Sequence, residues 1–361
     1  MSVRHADVLV VGLGPAGASA AAAAARAGLR VVAVDRRREP GVPVQCAEFV
    51  PALIGLDVGD LARSVRQSIA SMSTFVEEDA PDLTRPFPGK MLDRAAFDAS
   101  LVGDAVAAGA HCRFAVTVRR IDADAVVTLA DGTTIEAAVI VGADGPRSRV
   151  GRAIGSVNVA LVETRQITVP LCVAHDATDI FLSTSIPGGY GWLFPKANVA
   201  NLGAGIDPAH RHRLKPIVAK LHQALVDEGR VGERVLGVTG GAIPVGGMLD
   251  LQRGLGSAHV LLAGDAAGLA NPITGAGIAA AVYSGKLAGQ AAAAIAHGDR
   301  QAALAYEEEL RDVLGGALAR AARRRAERAL AAQQGGGNAA LRRTWIAYPQ
   351  YWTTQAEEAR A

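Results

Sequence analysis

The chain has 361 residues and a formal net charge of +2, and 20% of its residues are charged. This length is enough for two domains with a substantial buried core. The near balance of charge argues against a nucleic-acid partner, which needs a basic surface. Three cysteines, Cys46, Cys112 and Cys172, are too few and too scattered to predict a disulfide framework or a metal site. The composition therefore predicts a large α/β enzyme.

Hydropathy argues against a membrane-spanning protein. Residues 276–296 are weakly polar, but they are rich in small residues and are interrupted by Lys286 and Gln290. They predict a helix packed on a sheet, because a spanning helix needs about 20 predominantly apolar residues. Residues 1–6 are polar, and the apolar run at 8–11 is too short for a signal peptide. We expect a cytoplasmic protein, with peripheral contact with the inner face of a membrane left open.

The N-terminal segment predicts a dinucleotide-binding βαβ unit. An apolar strand precedes Gly12-Leu-Gly14-Pro-Ala-Gly17, a run of alanines predicts a helix, and a second apolar strand ends at Asp35. In such a unit the first glycine permits a tight turn, the second lets a pyrophosphate approach, and the third lets helix and strand pack closely. An acid at the end of the second strand can accept a hydrogen bond from a ribose hydroxyl. An ordinary glycine-rich turn is the alternative.

A second ligand-binding pattern lies far along the chain. An apolar strand runs into Gly264-Asp265, a loop contains Pro272, and Gly275-Ala276-Gly277-Ile278 opens an alanine-rich helix. A buried acid at a strand end can bond a sugar-like chain, and glycines at a helix start let a ligand approach backbone N–H groups. Two such patterns predict one long cofactor held at both ends, and we infer FAD. A helix N-cap is the alternative role for Asp265.

The rest of the sequence interleaves two kinds of structure. Residues 64–90 predict strands, with one at 69–75, and a proline-rich turn at 81–88. A helix starting at 91–98 ends near Gly109, short strands occupy 111–129, and Asp131-Gly132 predicts a hairpin. The fold class is α/β (α+β), with a Rossmann-like FAD-binding domain interleaved with an antiparallel-sheet substrate domain, plus a C-terminal helical segment. We assign 1–60, 91–155 and 251–300 to the FAD-binding domain, 61–90 and 156–250 to the substrate domain, and 301–361 to the C-terminal segment.

Three motifs in order resemble the flavoproteins of the p-hydroxybenzoate hydroxylase fold. They are Gly12-x-Gly14-x-x-Gly17, Gly142-Ala-Asp144-Gly145 and Gly264-Asp265. Within that group the chain most resembles the geranylgeranyl reductase family, over about residues 1–300. The residues that carry this resemblance are Tyr190-x-Trp192-x-Phe194-Pro195-Lys196, Asn201-Leu-Gly203-Ala-Gly205, Cys46-Ala47-Glu48 and Asn271-Pro272-Ile-Thr274-Gly275.

The resemblance implies the residues of an FAD site. Asp35 would hold the adenosine ribose, Arg94 would lie near the pyrophosphate or ribityl chain, and Asp265 would bond the ribityl hydroxyls. The N–H groups of Gly277 and Ile278 would face the flavin, where the helix dipole stabilises negative charge by roughly 0.3–2 kcal/mol. A surface ion pair is the alternative for Arg94. The full predicted set is Gly12, Gly14, Pro15, Ala16, Gly17, Asp35, Arg36, Cys46, Ala47, Arg94, Val118, Asp144, Gly264, Asp265, Pro272, Gly275, Ala276, Gly277 and Ile278.

Cys46, Tyr190 and Trp192 are the predicted catalytic residues. The resemblance places Cys46 beside the cofactor, where a thiol could donate a proton. Phe49 stands where a small residue is common in the family, and would narrow the pocket against a long prenyl chain. Tyr190 and Trp192 alternate on one face of a strand, opposite Leu193, and would line an apolar substrate channel. A small buried thiol and an aromatic core pair are the alternatives.

The C-terminal sixty residues predict helices up to Gln334, where three glycines break the pattern. The helix at 314–330 carries five arginines, for which we predict an ordinary solvated basic face, a membrane-surface helix being the alternative. Four aromatic residues beyond it cover either the substrate domain or a partner. The arginines are Arg320, Arg323, Arg324, Arg325 and Arg328, and the aromatic residues are Trp345, Tyr348, Tyr351 and Trp352.

The sequence favours an FAD-dependent oxidoreductase that reduces a C=C bond of an isoprenoid or other apolar or lipid substrate. Reduced flavin N5 would deliver hydride, with Cys46 or water as the proton source. No second dinucleotide-binding βαβ unit is visible, so NAD(P)H would bind transiently or a ferredoxin-like protein would donate electrons. Two functions stay open beside this one: a flavin monooxygenase or halogenase acting on an aromatic substrate, and a non-catalytic FAD-binding partner. The oligomeric state is left undetermined.

Overall fold

The computed structural model describes residues 3–52 and 63–353, so the predicted segments 1–60, 61–90 and 301–361 lie partly outside the described residues. The strands in chain order are β1 (Val3–Val11), β2 (Val31–Val34), β3 (Phe49–Pro51), β4 (Val65–Ile69), β5 (Ser71–Val76), β6 (Asp82–Thr84), β7 (Gly89–Leu92), β8 (His111–Arg113), β9 (Val118–Ile121), β10 (Val127–Leu129), β11 (Thr134–Gly142), β12 (Leu161–Pro170), β13 (Ala177–Leu182), β14 (Tyr190–Lys196), β15 (Val199–Ile206), β16 (Gly237–Thr239), β17 (Ala242–Pro244), β18 (Gln252–Leu255) and β19 (Ala258–Leu262). The helices are α1 (Pro15–Arg26), α2 (Arg94–Ala107), α3 (Arg149–Ala153), α4 (Leu214–Asp227), α5 (Ile278–Ala296), α6 (Ala302–Leu310), α7 (Gly316–Gln333), α8 (Asn338–Arg343) and α9 (Pro349–Trp352).

A mixed sheet forms the larger core. Its strand order is β18–β19–β11–β1–β2–β8, with β10 beside β11 and β9 beside β10. The pairs β19–β11, β11–β1, β1–β2 and β2–β8 are parallel. The central strands are apolar over residues 8–11, 31–34 and 139–141, which belong to one buried core with helices α1 and α5, as expected for covered parallel strands. The antiparallel pairing of β10 with β11 confirms the hairpin predicted at Asp131-Gly132.

The alanine-rich stretch near the C-terminal third is the interior helix α5, as predicted. It packs on α1 through small residues: a side chain at Gly285 would collide with the Ala16 carbonyl, and one at Gly289 would collide with the Ala20 carbonyl. Glycine and alanine therefore set the short distance between the two helices. Among the described residues, no helix is both long and apolar enough to cross a membrane.

A second sheet, here called the cover sheet, has the order β16–β12–β15–β14–β13–β5–β6, with β17 beside β12. Its pairs are antiparallel except β13–β5, which is parallel. The predicted strand at 69–75 is divided: β4 lies with β3 and β7 in a small sheet, while β5 joins the cover sheet. The predicted turn at 81–88 contains β6. These sheets and the C-terminal helices confirm the predicted fold class.

The prediction of a solvated basic face on the C-terminal helix is wrong. Arg324 on α7 is fully buried and donates to the carbonyl oxygens of Tyr351 (3.1 Å) and Gln350 (2.5 Å). Arg328 is also buried and donates to Thr344 Oγ1 at 2.8 Å. The carbonyls at the ends of α8 and α9 need donors, and the long arginine side chains supply them. The arginines therefore hold the C-terminal tail in place.

The aromatic tail packs on the cover sheet. Trp345 is buried, and its ring centre lies 4.9 Å from that of Tyr190 on β14. The Tyr348 hydroxyl donates to Asp82 Oδ2 of β6 at 2.6 Å. Of the two roles left open for this tail, covering the substrate sheet is the one these contacts support.

Candidate active site

The three glycine motifs meet at the carboxyl ends of β1, β11 and β19. Gly12 has φ +96°, and a side chain there would collide with the Ala143 carbonyl. A side chain at Gly17 would collide with the Gly12 carbonyl, and a Cβ at Gly264 would lie 2.9 Å from the Ala16 Cβ. Two of the motifs, separated by most of the chain, are therefore in direct contact, and Gly12 and Gly17 are required by that packing.

Gly14 differs from its two neighbouring glycines. A Cβ at this position would meet nothing within 4 Å. Gly14 is the N-cap of α1 and, having no side chain, leaves the first N–H groups of that helix without a side-chain cap. An open space at an uncapped helix N-terminus fits a phosphate group. Pro15 and Ala16 are the first residues of this helix.

Asp35 holds the glycine loop from the end of β2. Its Oδ2 accepts from Leu13 N and its Oδ1 accepts from Arg37 N, both at 2.7 Å. A carboxylate has about four lone-pair sites, so each oxygen retains capacity for a hydroxyl. Of the other residues predicted at this end, Arg36 is exposed and Val118 is buried at the start of β9.

The Asp144 side chain is already satisfied within the protein. Its carboxylate accepts from Ser148 Oγ at 2.5 Å and from Arg149 N at 2.6 Å, at the start of α3. Burial raises the pKa of Asp144, and these hydrogen bonds oppose that effect. The side chain therefore organises the turn after β11, and its predicted contact with the cofactor stays a prediction.

Asp265 is the opposite case. Within the described ranges, no hydrogen-bond donor reaches its carboxylate, and burial raises its pKa to about 6 although Arg94 opposes the shift. The helix N-cap alternative is wrong, because Asp265 lies inside the turn Gly264–Ala267 and the N-cap is Ala263. Its Oδ1 lies 3.3 Å from where a Cβ would stand on Gly277. Gly277 is the N-cap residue of α5 and offers that helix no side-chain hydrogen bond.

These features fit a dinucleotide with a polyhydroxyl chain. Open space at the N-terminus of α1 suits phosphate, and the unpartnered Asp265 carboxylate suits hydroxyl donors. The uncapped start of α5 suits a group that gains negative charge. In the part of the chain that the structure describes, no group of three or more His, Cys, Asp or Glu side chains is placed to hold a metal ion.

Cys46 lies in a charged and strongly hydrogen-bonded setting. The Glu48 N–H donates to its Sγ at 3.1 Å, and the Arg94 guanidinium is near enough to interact electrostatically with the sulfur. Arg94 forms two bonds to Asp98, at 2.9 and 3.0 Å, with side-chain exposures of 13% and 1%. The surface ion-pair alternative for Arg94 is therefore wrong. Burial lowers the pKa of Arg94, but Asp98 and Cys46 outweigh it and raise the pKa overall.

Glu48 fixes the loop that carries Cys46 and Ala47. Its buried carboxylate pairs with Lys196 and accepts from Asn201 Nδ2 at 2.8 Å and from Arg94 N at 3.0 Å. Its backbone has φ +69°, a conformation that non-glycine residues adopt only when their surroundings hold them there. Lys196 and Asn201 come from β14 and β15, so the cover sheet positions the cysteine loop.

A second link runs from the cover sheet to Cys46. Trp192 Nε1 donates to Gln166 Oε1, and Gln166 Nε2 donates to the Cys46 carbonyl, both at 3.1 Å. The Trp192 indole lies directly over Gly203, where any side chain would collide with it. This contact explains the glycine of Asn201-Leu-Gly203 on the neighbouring strand.

An apolar cleft lies between the cover sheet and the loop that precedes α5. Tyr190 and Trp192 both line the cleft, while Leu193 packs in a different core cluster. This confirms that the side chains alternate between the two faces of β14, as predicted. The Tyr190 hydroxyl donates to the Thr274 carbonyl at 2.6 Å, and burial raises the pKa of Tyr190. The lining residues are Val162, Thr164, Gly188, Gly189, Tyr190, Trp192, Gly205, Ile243, Val245, Pro272, Ile273, Thr274, Gly275 and Arg325.

Phe49 does not line this cleft. Its ring lies 5.9 Å from that of Phe87 and 5.6 Å from that of Phe194. Together with residues 276–279 it lines a smaller cavity at the start of α5. Its predicted narrowing of the pocket would therefore act there and not along the aromatic wall.

Several residues of the site were not predicted from the sequence. Gln166, Lys196, Asn201 and Arg325 all have polar groups at the cleft or on the cysteine loop. Asn201 is a polar residue within an otherwise buried strand, and that pattern is the signal that could have identified it. Gln166 gave no such signal, because Glu163, Thr164 and Arg165 precede it on β12. Arg325 gave no such signal, since it lies among other arginines.

The two sheets and the two-ended site define an FAD-dependent oxidoreductase. A family model described as lycopene cyclase protein matches residues 7–169, and one described as geranylgeranyl reductase catalytic domain matches residues 160–243. A digeranylgeranylglycerophospholipid reductase from Methanothrix thermoacetophila is 34% identical over 346 residues, covering 87% of this chain and 85% of that protein. The chain belongs to the geranylgeranyl reductase family.

Solved structures agree with this assignment. A geranylgeranyl bacteriochlorophyll reductase-like protein from Thermoplasma acidophilum superposes with a TM-score of 0.80 at 26% identity, over 97% of this chain and 93% of that chain. A protein from Pseudomonas aeruginosa described as a probable FAD-dependent monooxygenase has a TM-score of 0.67 at 19% identity, over 94% and 98% of the two chains. The second likeness shows the fold alone.

Proposed function

We propose that this protein reduces carbon–carbon double bonds in the isoprenoid chain of a lipid. The observation that carries the proposal is the cleft, whose apolar and aromatic walls face the loop that leads to the N-terminus of α5. The walls lie close together and enclose about 30 Å³, so a hydrocarbon chain would have to separate them to enter. Walls of this kind suit a hydrocarbon chain, because they bury it without leaving polar groups unpaired. The name of the relative from Methanothrix thermoacetophila, a reductase of a geranylgeranylated lipid, supports the same substrate class.

FAD, when bound and reduced, supplies the hydride. Asp35 and the α1 N-terminus at Gly14 would hold its nucleotide half, and Asp265 and the N–H groups of Gly277 and Ile278 would hold its flavin half. The contact between Gly264 and Ala16 brings these two sets of residues together without a rearrangement of the sheet.

Cys46 is the residue best placed to hold the proton. The Glu48 N–H is directed at its Sγ, so the S–H bond is left to point elsewhere. Cys46 also packs against the apolar cluster that contains Ile278, the first residue of α5. Proton transfer from Sγ to a substrate carbon requires this proximity.

Tyr190 and Trp192 act as the wall and not as acids. The Tyr190 hydroxyl proton is directed to the Thr274 carbonyl, and its raised pKa disfavours ionisation. The Trp192 N–H is directed to Gln166. We propose that both rings orient the alkene and exclude water.

The electron donor and the cellular location are also proposals. The glycine-rich βαβ unit that the described residues contain, β1–α1–β2, is the one we assign to FAD. NAD(P)H would therefore bind transiently, or a ferredoxin-like protein would donate electrons. A lipid substrate would place the protein in the cytoplasm at the inner face of a membrane. Rapid-mixing measurements of flavin reduction with NADH, NADPH and a reduced ferredoxin would identify the donor.

Product mass and oxygen use test the proposed reaction. Purified FAD-loaded protein would be given geranylgeranylated lipids and aromatic candidates, with and without O₂. Reduction adds two hydrogens for each double bond and proceeds anaerobically. Incorporation of ¹⁸O from ¹⁸O₂, or turnover that requires O₂, would establish the monooxygenase alternative instead.

A further inference from the structure

Arg325 is the one charged residue that lines the apolar cleft in the described part of the chain. Its side chain is part of the lining, with Tyr190 on the same wall. Its Nη1 lies 3.4 Å from the Pro272 carbonyl oxygen, which is a long hydrogen bond. Its Nη2 lies 3.4 Å from the position of a Cβ at Gly188. The guanidinium is thus held between a glycine backbone and the loop that leads to α5.

This cation has no close counter-ion. Among the described residues, no carboxylate lies within 4.0 Å of Arg325, although Asp207 is near enough to oppose the lowering of its pKa by burial. Arg328, one helical turn away, is buried as well, and burial followed by the charge of Arg325 lowers its pKa to about 10. A half-buried cation without a counter-ion is unfavourable, because it loses hydration that one long hydrogen bond does not replace.

Neighbouring arginines show how such charges are normally satisfied here. Arg324 donates to two carbonyls at 2.5 and 3.1 Å, and Arg328 donates to Thr344 Oγ1 at 2.8 Å. The contact of Arg325 is longer than any of these, and it is the one hydrogen bond of this side chain among the described residues. Arg325 therefore retains donors for a group that enters the cleft.

We infer that Arg325 binds the phosphate-ester oxyanion at the polar end of the isoprenoid substrate, an inference that rests on the proposed function. The described lining of the cleft combines apolar walls with a single cation, and an isoprenoid carrying a phosphate combines a hydrocarbon chain with a single anionic group. A guanidinium binds phosphate oxygens through two parallel N–H donors, which fixes orientation as well as affinity. Arg325 then sets which part of the chain lies beside Tyr190 and Trp192.

The same chemistry is found in a prenyl diphosphate and in a prenylated glycerophospholipid. The test compares geranylgeranyl diphosphate, a digeranylgeranyl glycerophospholipid in mixed micelles, and the uncharged alcohol geranylgeraniol. In Arg325→Met we expect KM for the anionic substrate that the enzyme uses to rise by about 10- to 100-fold, with kcat nearly unchanged. KM for the alcohol should not change, and Arg325→Lys should recover part of the loss. The anionic substrate whose KM responds identifies the source of the phosphate.

Binding of inorganic pyrophosphate gives a readout that does not depend on turnover. We expect pyrophosphate to raise the melting temperature of the wild-type holoprotein and of Arg343→Met, an exposed control on α8, but not that of Arg325→Met. The melting temperature of Arg325→Met without ligand should equal or exceed that of wild type, since an unpaired cation is removed.

The outcomes separate this inference from the proposed function. If the wild type reduces none of the three substrates but pyrophosphate protection still depends on Arg325, the proposed function fails and the anion site stands. If Arg325→Met melts well below wild type and loses activity equally on charged and uncharged substrates, its role is structural and the inference is overturned. Unchanged KM values together with unchanged pyrophosphate protection would also overturn it.

Discussion

Replacing Lys196 with methionine removes the cation that pairs with Glu48 while keeping an unbranched side chain. The Glu48 carboxylate is only 5% exposed and Lys196 is 19% exposed, so the pair is largely removed from water. Removing one partner of a buried pair typically costs about 3–5 kcal/mol, because the other charge stays buried without compensation. Asn201 and the Arg94 N–H still donate to Glu48, so we expect about 3 kcal/mol, the lower end of this range.

This free energy converts to a measurable change in melting temperature. At about 2.1 cal/mol/K per residue, unfolding of a chain of 361 residues has an entropy of about 0.76 kcal/mol/K. A loss of about 3 kcal/mol then lowers Tm by about 4 °C. In the double variant Glu48→Gln/Lys196→Met no charge is left to be compensated. The single amide oxygen keeps one of the hydrogen bonds from Arg94 N and Asn201 Nδ2, and loss of the other costs about 1 kcal/mol, less than the uncompensated charge. The double variant should therefore be more stable than Lys196→Met alone.

Thermal unfolding of the FAD-loaded proteins, followed by circular dichroism, measures these differences. Lys215→Met, at an exposed position of α4, is the matched control and should shift Tm by less than about 1 °C. The argument for a buried ion pair fails if Lys196→Met and Lys215→Met have the same Tm. It also fails if the double variant shows the simple sum of the two single losses.

Three further predictions follow from the contacts. Gly14→Ala should weaken FAD binding at least about tenfold, measured by fluorescence titration, with little change in the stability of the FAD-free protein. Gly17→Ala should lower that stability, measured by urea unfolding, because its side chain would collide with the Gly12 carbonyl. A variant that changes FAD binding and stability equally would contradict this. Because burial raises the pKa of Asp265 to about 6, the FAD-free protein loses stability as pH rises through that value. Asp265→Asn should therefore melt at a higher temperature than wild type above about pH 6, and at the same temperature below about pH 4. A difference that does not depend on pH would refute the raised pKa of Asp265. Arg324→Met should release the C-terminal tail and speed its cleavage by chymotrypsin, a protease that does not cut at arginine. An unchanged cleavage rate would show that the carbonyl contacts are dispensable.

The fold was predictable from sequence because its signals are local. The glycines of the first motif, the apolar strands and the turn at Asp131-Gly132 each depend on backbone geometry within a few residues. The buried arginines of α7 were not predictable in this way. Their burial depends on carbonyls of α8 and α9, and a helix rich in arginine has the same pattern whether water or another segment satisfies it.

The candidate site divides along the same line. The positions of Cys46, Tyr190 and Trp192 follow from motifs, but the contacts that hold them do not. Glu48 and Lys196 are 148 residues apart, and nothing local to either residue identifies the other as its partner. The motif of Asp144 predicts a cofactor ligand, which stays a prediction, but it did not indicate that the carboxylate accepts hydrogen bonds from Ser148 and Arg149 at the start of α3.

An anaerobic single turnover tests the central claim most directly. Enzyme whose FAD has been reduced with one equivalent of dithionite would be mixed with a geranylgeranylated lipid in the absence of O₂, and the lipid would be analysed by mass spectrometry. We predict that one double bond is reduced for each FAD oxidised, a gain of two hydrogens, and that Cys46→Ala slows this step at least about tenfold. FAD that stays reduced with every such lipid, or that reacts only when O₂ is admitted and yields an oxygenated product, would contradict the account.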